Sequence, residues 1–468
     1  MMQRFLCRKD SEMRRTERNM LEGPLAMSIL TYTIPIILTS YLQLLFNAAD
    51  LVVVGRFCGS ISVAAVGVTG AITNLIVNLF IGLSVGAGVS VAHAIGSRED
   101  DVVHRTVHTA LLTALVGGVI LTAVGVRYSP TFLRWMDTPE NVLPLSSVYM
   151  RIYFGGITFT MVYNYCTSIL RAAGDTQSPM IILMGAGVLN IILNVVFVAA
   201  FDMNVAGVAW ATVISQALSA VAVTLVLMHR KDACRFYPGK MRFYGPQLRK
   251  IVRIGLPAGI QGATFSISNV IIQSSMNSFG DAMVSGNAAV SNVEGFCYNA
   301  VNGFHQAAVN YIGQNVGAHQ FDRVTKVFRL CVLYATLAGL ITGGLFTIFR
   351  RQLLGIYITD SQEALEIGMR RVLFTSMPYF LFGLLDAGGG ALRGMGASTL
   401  SMFISVIGIC GSRLLWIFTV FQIPELHTPE CLYFSYPISW ILTLVAEMIA
   451  FPIVHKKMVQ RAGLATAA

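Results

Sequence analysis

The chain has 468 residues, of which 55% are apolar and only 12% charged, and its mean hydropathy is +0.66. Soluble domains carry about 25% charged residues, so this composition excludes a free soluble protein and points to many membrane spans of about 20 residues or more. The net charge of +10 is not a nucleic-acid signal, because the basic residues follow the membrane topology described below.

Residues 1–25 form a cytoplasmic arm carrying Arg4, Arg8, Arg14, Arg15 and Arg18, without the apolar core of a cleavable signal. Met20 offers an alternative start just ahead of the first span. Twelve apolar runs follow, at 29–54, 63–95, 106–128, 145–170, 178–201 and 205–228, then at 251–279, 283–316, 327–349, 372–392, 399–421 and 433–454. Spans two, seven and eight are longer than a bilayer requires and are expected to tilt, bend or project. With the N-terminus inside, 24 Lys and Arg fall on the inner side and 7 on the outer, with Arg151 and Arg413 within spans. That excess places both termini in the cytoplasm.

The two halves repeat. An offset of 222 carries Pro35 onto Pro257, Asn47 onto Asn269, Asn164 onto Asp386, Leu170-Arg171 onto Leu392-Arg393 and Gly174 onto Gly396. An offset of 221 pairs Gly59 with Gly280, Gly96 with Gly317 and Asp101 with Asp322. At 223, Asp137-x-x-Glu140 pairs with Asp360-x-x-Glu363, each shaped like a helix-capping box. Six spans per half is an even number, so both repeats enter from the same side, as in transporters with parallel repeats. The expected architecture is all-α, with twelve transmembrane helices in two pseudo-symmetric six-helix lobes around a central cavity. The N-lobe is 26–228, a basic cytoplasmic linker 229–250, the C-lobe 251–455 and a cytoplasmic tail 456–468.

The eight cysteines stand far apart and form no Cys-x-x-Cys or His/Cys cluster, so they read as buried thiols and no metal centre is expected from them. Ionisable residues within spans are costly and are functional candidates. Asp50 lies one helical turn from Asn47, and Asn190 and Asn194 form an amide ladder on span five. That ladder suits either a lobe interior or interhelical hydrogen bonding. Asp386 precedes Gly388-Gly389-Gly390, which permits close backbone approach. On span eight, Glu294, Tyr298, Asn302 and His305 share one face, suited to a wet cavity wall or to a polar seam. Span seven adds Gln261, Asn269, Gln273 and Asn277; Arg413 is expected to neutralise a carboxylate or cap carbonyls, and Glu447 is ambiguous. No nucleotide-binding loop occurs, so ATP does not drive the protein through its own chain. Transport is then ion-driven or passive.

With these residues in hand, the sequence resembles the multidrug and toxic compound extrusion (MATE) exporters. The resembling stretches are Phe46-Asn47-Ala48-Ala49-Asp50-Leu51-Val52-Val53-Val54-Gly55-Arg56, Leu170-Arg171-Ala172-Ala173-Gly174-Asp175, Asn190-Ile191-Ile192-Leu193-Asn194, Gly207-Val208-Ala209-Trp210-Ala211-Thr212, Gly255-Leu256-Pro257, and Asp386 with Leu392-Arg393-Gly394. The resemblance implies an antiporter exchanging sodium ions or protons for organic, often cationic, compounds. It implies an N-lobe ion or proton site at Asp50 and Asn190, and a C-lobe cation site, open to a sodium ion, at Asp386. Asn194 stands where many relatives carry an aspartate, and the glutamate of span seven is missing, with Glu294 the candidate replacement. The expected coupling set is therefore Asp50, Asp386, Asn190, Asn194 and Glu294, with Asp386 dominant. Asn47, Asn164, Gln261, Asn269, Gln273, Tyr298, Asn302 and His305 are expected to line the substrate cavity. No cofactor is expected beyond the coupling ion, and the partners are a small organic substrate and the lipid of the plasma membrane, with the protein acting as a monomer. The rival readings are a lipid-linked oligosaccharide flippase, which calls for a strongly basic cavity, and a membrane enzyme or receptor, which calls for a catalytic cluster or a large soluble domain.

Overall fold

A computed structural model describes residues 19–359 and 361–467. These residues are almost entirely helical, with no strand among them. The helices are α1 (Leu25–Phe57), α2 (Ser60–Gly96), α3 (Asp100–Trp135), α4 (Leu143–Gly155), α5 (Ile157–Ala172), α6 (Gln177–Val195) and α7 (Asn204–His229), followed by α8 (Gly245–Asn277), α9 (Asp281–Gly317), α10 (Phe321–Ile348), the short α11 (Arg350–Gly355), α12 (Gln362–Thr375), α13 (Tyr379–Gly394), α14 (Ser398–Ser405), α15 (Ser412–Phe418) and α16 (Pro429–Ala467). A π-helical turn, Val196–Ala200, extends α6, and another, Val406–Gly411, joins α14 to α15.

Each of the twelve apolar runs falls on helix. Among the described residues, eight helical stretches are long and apolar enough to cross a membrane alone, and the pair α12–α13, bent by 49°, makes a ninth. The remaining three runs fall on α8 and α9, whose polar seams dilute their hydropathy, and on α4–α5, which is interrupted at Gly156. The interruptions are repeat mates. Pro378, between α12 and α13, stands 222 residues after Gly156. Proline lacks the amide needed to continue the helical ladder and glycine weakens it, so both halves break the same span by different chemistry. The long spans do overrun: α9 has 37 residues, about 55 Å at 1.5 Å per residue.

The described residues divide into two compact units, 19–20 with 34–259, and 21–33 with 260–359 and 361–467. The division differs from lobe boundaries set by counting spans. The first turns of α1 belong to the second unit, where Tyr32 meets Tyr311 edge-on and Ser28 hydrogen-bonds the Tyr311 hydroxyl at 2.7 Å. The first half of α8 belongs to the first unit, where Gly255 and Gly259 pack on the backbone of α2 at Leu83 and Leu79.

The backbone repeats as the sequence does. Gly59 and Gly280 have φ of 82° and 96°, Gly174 and Gly396 of 90° and 77°, and Arg98 and His319 both of 56°. Each of these pairs occupies the left-handed region at the offset read from the sequence. The first capping box is corrected. Asp137 itself has φ 51° and starts no helix; α4 begins six residues later, after Val142. In the second repeat Asp360 lies outside the described residues, and Ser361 caps α12 by accepting from the Ala364 amide at 3.2 Å. The arm residues Arg4, Arg8, Arg14, Arg15 and Arg18, with Cys7, also lie outside the described residues.

In the first unit the linker is docked on α3. The Tyr237 amide donates to His108 Nε2 at 3.1 Å, and the Tyr244 amide to Thr109 Oγ1 at 3.2 Å. Arg230 chelates Asp232 through Nε and Nη2 and lies 4.0 Å from buried Asp175. In the second unit, α10 packs on the α12–α13 pair through a seam of small residues, the usual device where close backbone approach replaces hydrophobic driving force. A Cβ at Gly343 would lie 2.1 Å from the Ser376 carbonyl oxygen, and one at Gly339 2.8 Å from Phe380 Cα. Because those obstacles are backbone, no rotamer change relieves them. Gly343→Val is expected to destabilise the protein by about 1–3 kcal/mol through overpacking. A fall in the thermal-unfolding midpoint of detergent-purified protein checks this; an unchanged midpoint contradicts the seam.

Candidate functional site

In the first unit, the span α1 carries the acid Asp50. Asn194 of α6 donates its amide to Asp50 Oδ1 and to Asn190 Oδ1, the latter at 3.2 Å. Asn190 and Asn194 are buried, and Asp50 is half-buried. Val53 and Val54, also on α1, form an apolar cluster with Val198 and Val208, with Tyr149 packed against it. Among the described residues no Lys, Arg or His pairs with Asp50. Among the described residues its carboxylate has the Asn194 amide for company and no counter-charge.

The second unit holds two polar clusters along α9. In the first, the His305 ring lies between Asp386 and Arg393, both on α13. Arginine can only donate, so Arg393 Nη1 at 3.2 Å makes His305 Nε2 the acceptor. The ring proton then sits on Nδ1, which is 3.0 Å from Asp386 Oδ1 and 2.8 Å from the Asp386 carbonyl. Arg393 Nη2 donates to Gln261 Oε1 of α8 at 2.8 Å. The glycine run serves this contact: a Cβ at Gly390 would sit 2.8 Å from the His305 carbonyl.

In the other cluster, Arg371 of α12 donates to Glu294 Oε2 at 2.9 Å and to the Asn287 carbonyl and Oδ1, each at 3.0 Å. Thr375 donates to the other Glu294 oxygen, and Tyr433 to Asn287 Oδ1 at 3.3 Å. Glu294 is thus matched by a buried counter-ion, an arrangement that holds helices together. Among the described residues Arg413 makes no carboxylate pair. Its Nε donates to Ser439 Oγ at 2.9 Å, and its guanidinium stacks 4.1 Å from the Tyr436 ring centroid.

The other candidates divide. Gln261 joins the Asp386 cluster, whereas Asn164 and Gln273 bond within their own helices, to the Thr160 carbonyl and to Asn277. Asn47 and Asn269 are exposed, and Asn302 is half-buried between the two clusters of α9. The Tyr298 ring is 44% exposed, with the Phe382 ring 5.8 Å away. Sequence reasoning missed Arg371 and Arg393 as interior groups, having counted one as outer and the other as inner loop. The available signal for Arg371 was helical spacing, because it shares a face with Gly368 and Thr375, both buried. Arg151, counted within a span, is exposed. No group of three or more His, Cys, Asp or Glu residues that could hold a metal ion occurs among the described residues.

The profile of the MatE family matches the chain twice, over residues 35–196 and 257–418. The second match starts and ends 222 residues after the first, the offset of the sequence repeat. The probable multidrug resistance protein YoeA of Bacillus subtilis is 27% identical over 437 residues, covering 92% of this chain and 94% of that protein. The probable multidrug resistance protein NorM of Thermotoga maritima is 25% identical over 391 residues, covering 82% of this chain and 83% of its own length. A solved multidrug resistance MATE-family transporter in an outward-facing conformation matches with a TM-score of 0.85 at 20% identity, over 94% of this chain and 97% of that one. Repeats, helices and relatives together define a multi-pass membrane transporter. The chain belongs to the MatE family, the multidrug and toxic compound extrusion transporters.

The Glu294–Arg371 pair generates a stability prediction. Glu294→Gln alone leaves a buried guanidinium without its counter-ion and is expected to cost about 3 kcal/mol. Glu294→Gln combined with Arg371→Met removes both charges and is expected to cost less. Unfolding midpoints of the two variants compare them directly, and equal losses would contradict a structural ion pair.

Proposed function

We propose that the protein exports organic, chiefly cationic, compounds of drug size from the cytoplasm in exchange for sodium ions or protons. The observation that carries this reading is the Asp50 carboxylate, placed within a membrane-spanning helix with an amide partner and, among the described residues, no basic one. A charge so placed is costly unless a mobile cation neutralises it. Carboxylate and amide oxygens are ligands for a hard cation, and the carboxylate equally accepts a proton. Binding of that ion favours one conformation, binding of the organic cation the other, and each is released to the opposite side of the membrane.

Asp386, 16% exposed at its side chain, and the exposed Tyr298 ring, backed by Phe382, support a cationic substrate through charge and cation–π attraction. The second unit does contain three interior arginines, more than the sequence suggested, which bears on the flippase reading. Arg371 and Arg393 direct donors to Glu294, Asn287, His305 and Gln261, and Arg413 is stacked on aromatic rings, so none of the three presents a basic cavity for a diphosphate. The Lys and Arg excess supports a plasma-membrane orientation with both termini cytoplasmic.

The test is ethidium efflux from proteoliposomes under a sodium gradient alone and then a proton gradient alone. At least one gradient is expected to drive efflux; efflux indifferent to both would overturn antiport. Asp386→Asn is expected to lower gradient-driven efflux by about tenfold or more, and Asp50→Asn by less. The order follows from the surroundings: removing the Asp386 charge also strands the His305–Arg393 relay, whereas asparagine at position 50 extends an existing amide ladder. An inactive Asp50→Asn beside a normal Asp386→Asn would reverse the assignment.

A further inference from the structure

Glu447 on α16 belongs to none of the contacts described so far. It is 1% exposed, and neither of its carboxyl oxygens makes a hydrogen bond among the described residues. It lies directly behind Asp386, against the glycine run. A Cβ at Gly388 would come 2.6 Å from Glu447 Oε2, and one at Gly389 3.1 Å from Oε1. The glycines are therefore what makes room for this carboxyl group. Asp386 Oδ2 and Arg393 Nε, in the same neighbourhood, are also buried without a hydrogen-bond partner among the described residues. Asp386 and Arg393 both stand within electrostatic reach of Glu447.

Charge then decides the matter. Around Gly388–Gly390 stand two acids, Asp386 and Glu447, and one permanent cation, Arg393. His305 contributes no charge while it accepts from Arg393 at Nε2 and donates from Nδ1. The other groups facing Glu447 are neutral: the Ser405 hydroxyl and the Gly389 backbone lie beside it without hydrogen-bond geometry, and Ser401 donates to the Gly389 carbonyl at 3.4 Å. On the remaining helices packed against α16, Arg371 is matched to Glu294, Arg413 rests on Ser439 and Tyr436, and Arg370 pairs with Glu430 at 3.4 Å at an exposed position. The cluster is one positive charge short. A buried carboxyl group with no protein counter-charge demands that the missing charge come from outside.

We propose that Glu447, rather than Glu294, is the second acid of the Asp386 site, and that the pair holds one exchangeable monovalent cation, a proton or a sodium ion. This deepens the antiport reading above and rests on it. Glu294 cannot serve in this way because Arg371 already neutralises it. With Glu447 neutralised the cluster is balanced by Arg393 and Asp386; when an organic cation brings its own charge to Asp386, the exchangeable cation is released to water, one charge for one charge.

The experiment compares wild type and Glu447→Gln, a near-isosteric change that balances the cluster permanently. Two readouts are used: ethidium-triggered proton release from purified protein in weakly buffered detergent solution, and proteoliposome efflux under separate proton and sodium gradients. In wild type, proton release with proton-driven efflux identifies the proton as the exchanged cation; sodium-driven efflux without proton release identifies sodium. In either case Glu447→Gln is expected to lose the ion dependence, with gradient-driven efflux falling at least about tenfold, while ethidium binding persists. Glu447→Asp is expected to restore part of that dependence, which separates a charge role from a packing role. Where Glu447→Gln does not yield folded protein, Glu447→Asp is scored alone: a partial loss of ion dependence with ethidium binding intact supports the assignment, and either complete loss or full wild-type coupling overturns it. Wild-type coupling retained in full by Glu447→Gln overturns the inference and leaves antiport standing. Absence of any gradient-driven efflux in wild type overturns antiport itself.

Discussion

A carboxylate inside a membrane-spanning helix must be neutralised, and the way each one is neutralised organises this molecule. Glu294 is answered by Arg371, within a network that also fixes Asn287, Thr375 and Tyr433. Asp386 is answered in part by the His305–Arg393 relay, which also reaches Gln261 on α8. Among the described residues Asp50 is met only by Asn194, which Asn190 supports in turn on α6. A matched pair fixes helices in place, whereas an unmatched acid leaves a charge that a mobile ion fills. Structure and transport thus draw on the same residue type, and the counter-charge tells them apart.

The repeat supplies the framework without duplicating the chemistry. Left-handed residues recur at matching offsets, and the fourth span of each half breaks at Gly156 or at Pro378. The acids do not recur: Asp386 falls on Asn164, and Asp50 falls on Ile272, which is buried in an apolar cluster with Met276 and Phe421. Each unit therefore carries its carboxylate at a different position of a shared helical frame. The small-residue seam of α10 with α12 and α13 shows the same division, since it positions Asp386 and Arg393 without touching either.

Spans, repeats and the Asp50–Asn194 pair were legible in the sequence because they depend on local composition and on a regular offset. The i, i+4 ladder of Asn190 and Asn194 needed only helical periodicity, and the structure brings it to Asp50. What the sequence did not disclose were partnerships across long separations. Arg371 looked like a loop residue because it follows Arg370 at the edge of an apolar run, yet one points out to Glu430 and the other inward to Glu294, 77 residues away. The first capping box failed for a local reason: Asp137 itself takes the left-handed conformation in the turn after α3, so it starts no helix. Glu447 stayed ambiguous because its meaning depends on the glycines of another helix, which only packing reveals.

The account's central claim is that each unit carries one unmatched carboxyl charge, at Asp50 in the first and in the Asp386 cluster in the second. The number of small cations exchanged per ethidium molecule tests it most directly. It is obtained in proteoliposomes from the ion gradient that just balances a fixed ethidium gradient at known membrane potential. The account predicts two, one for each of the two units, falling to one in Asp50→Asn. A single cation in wild type, or an unchanged number in Asp50→Asn, would contradict it.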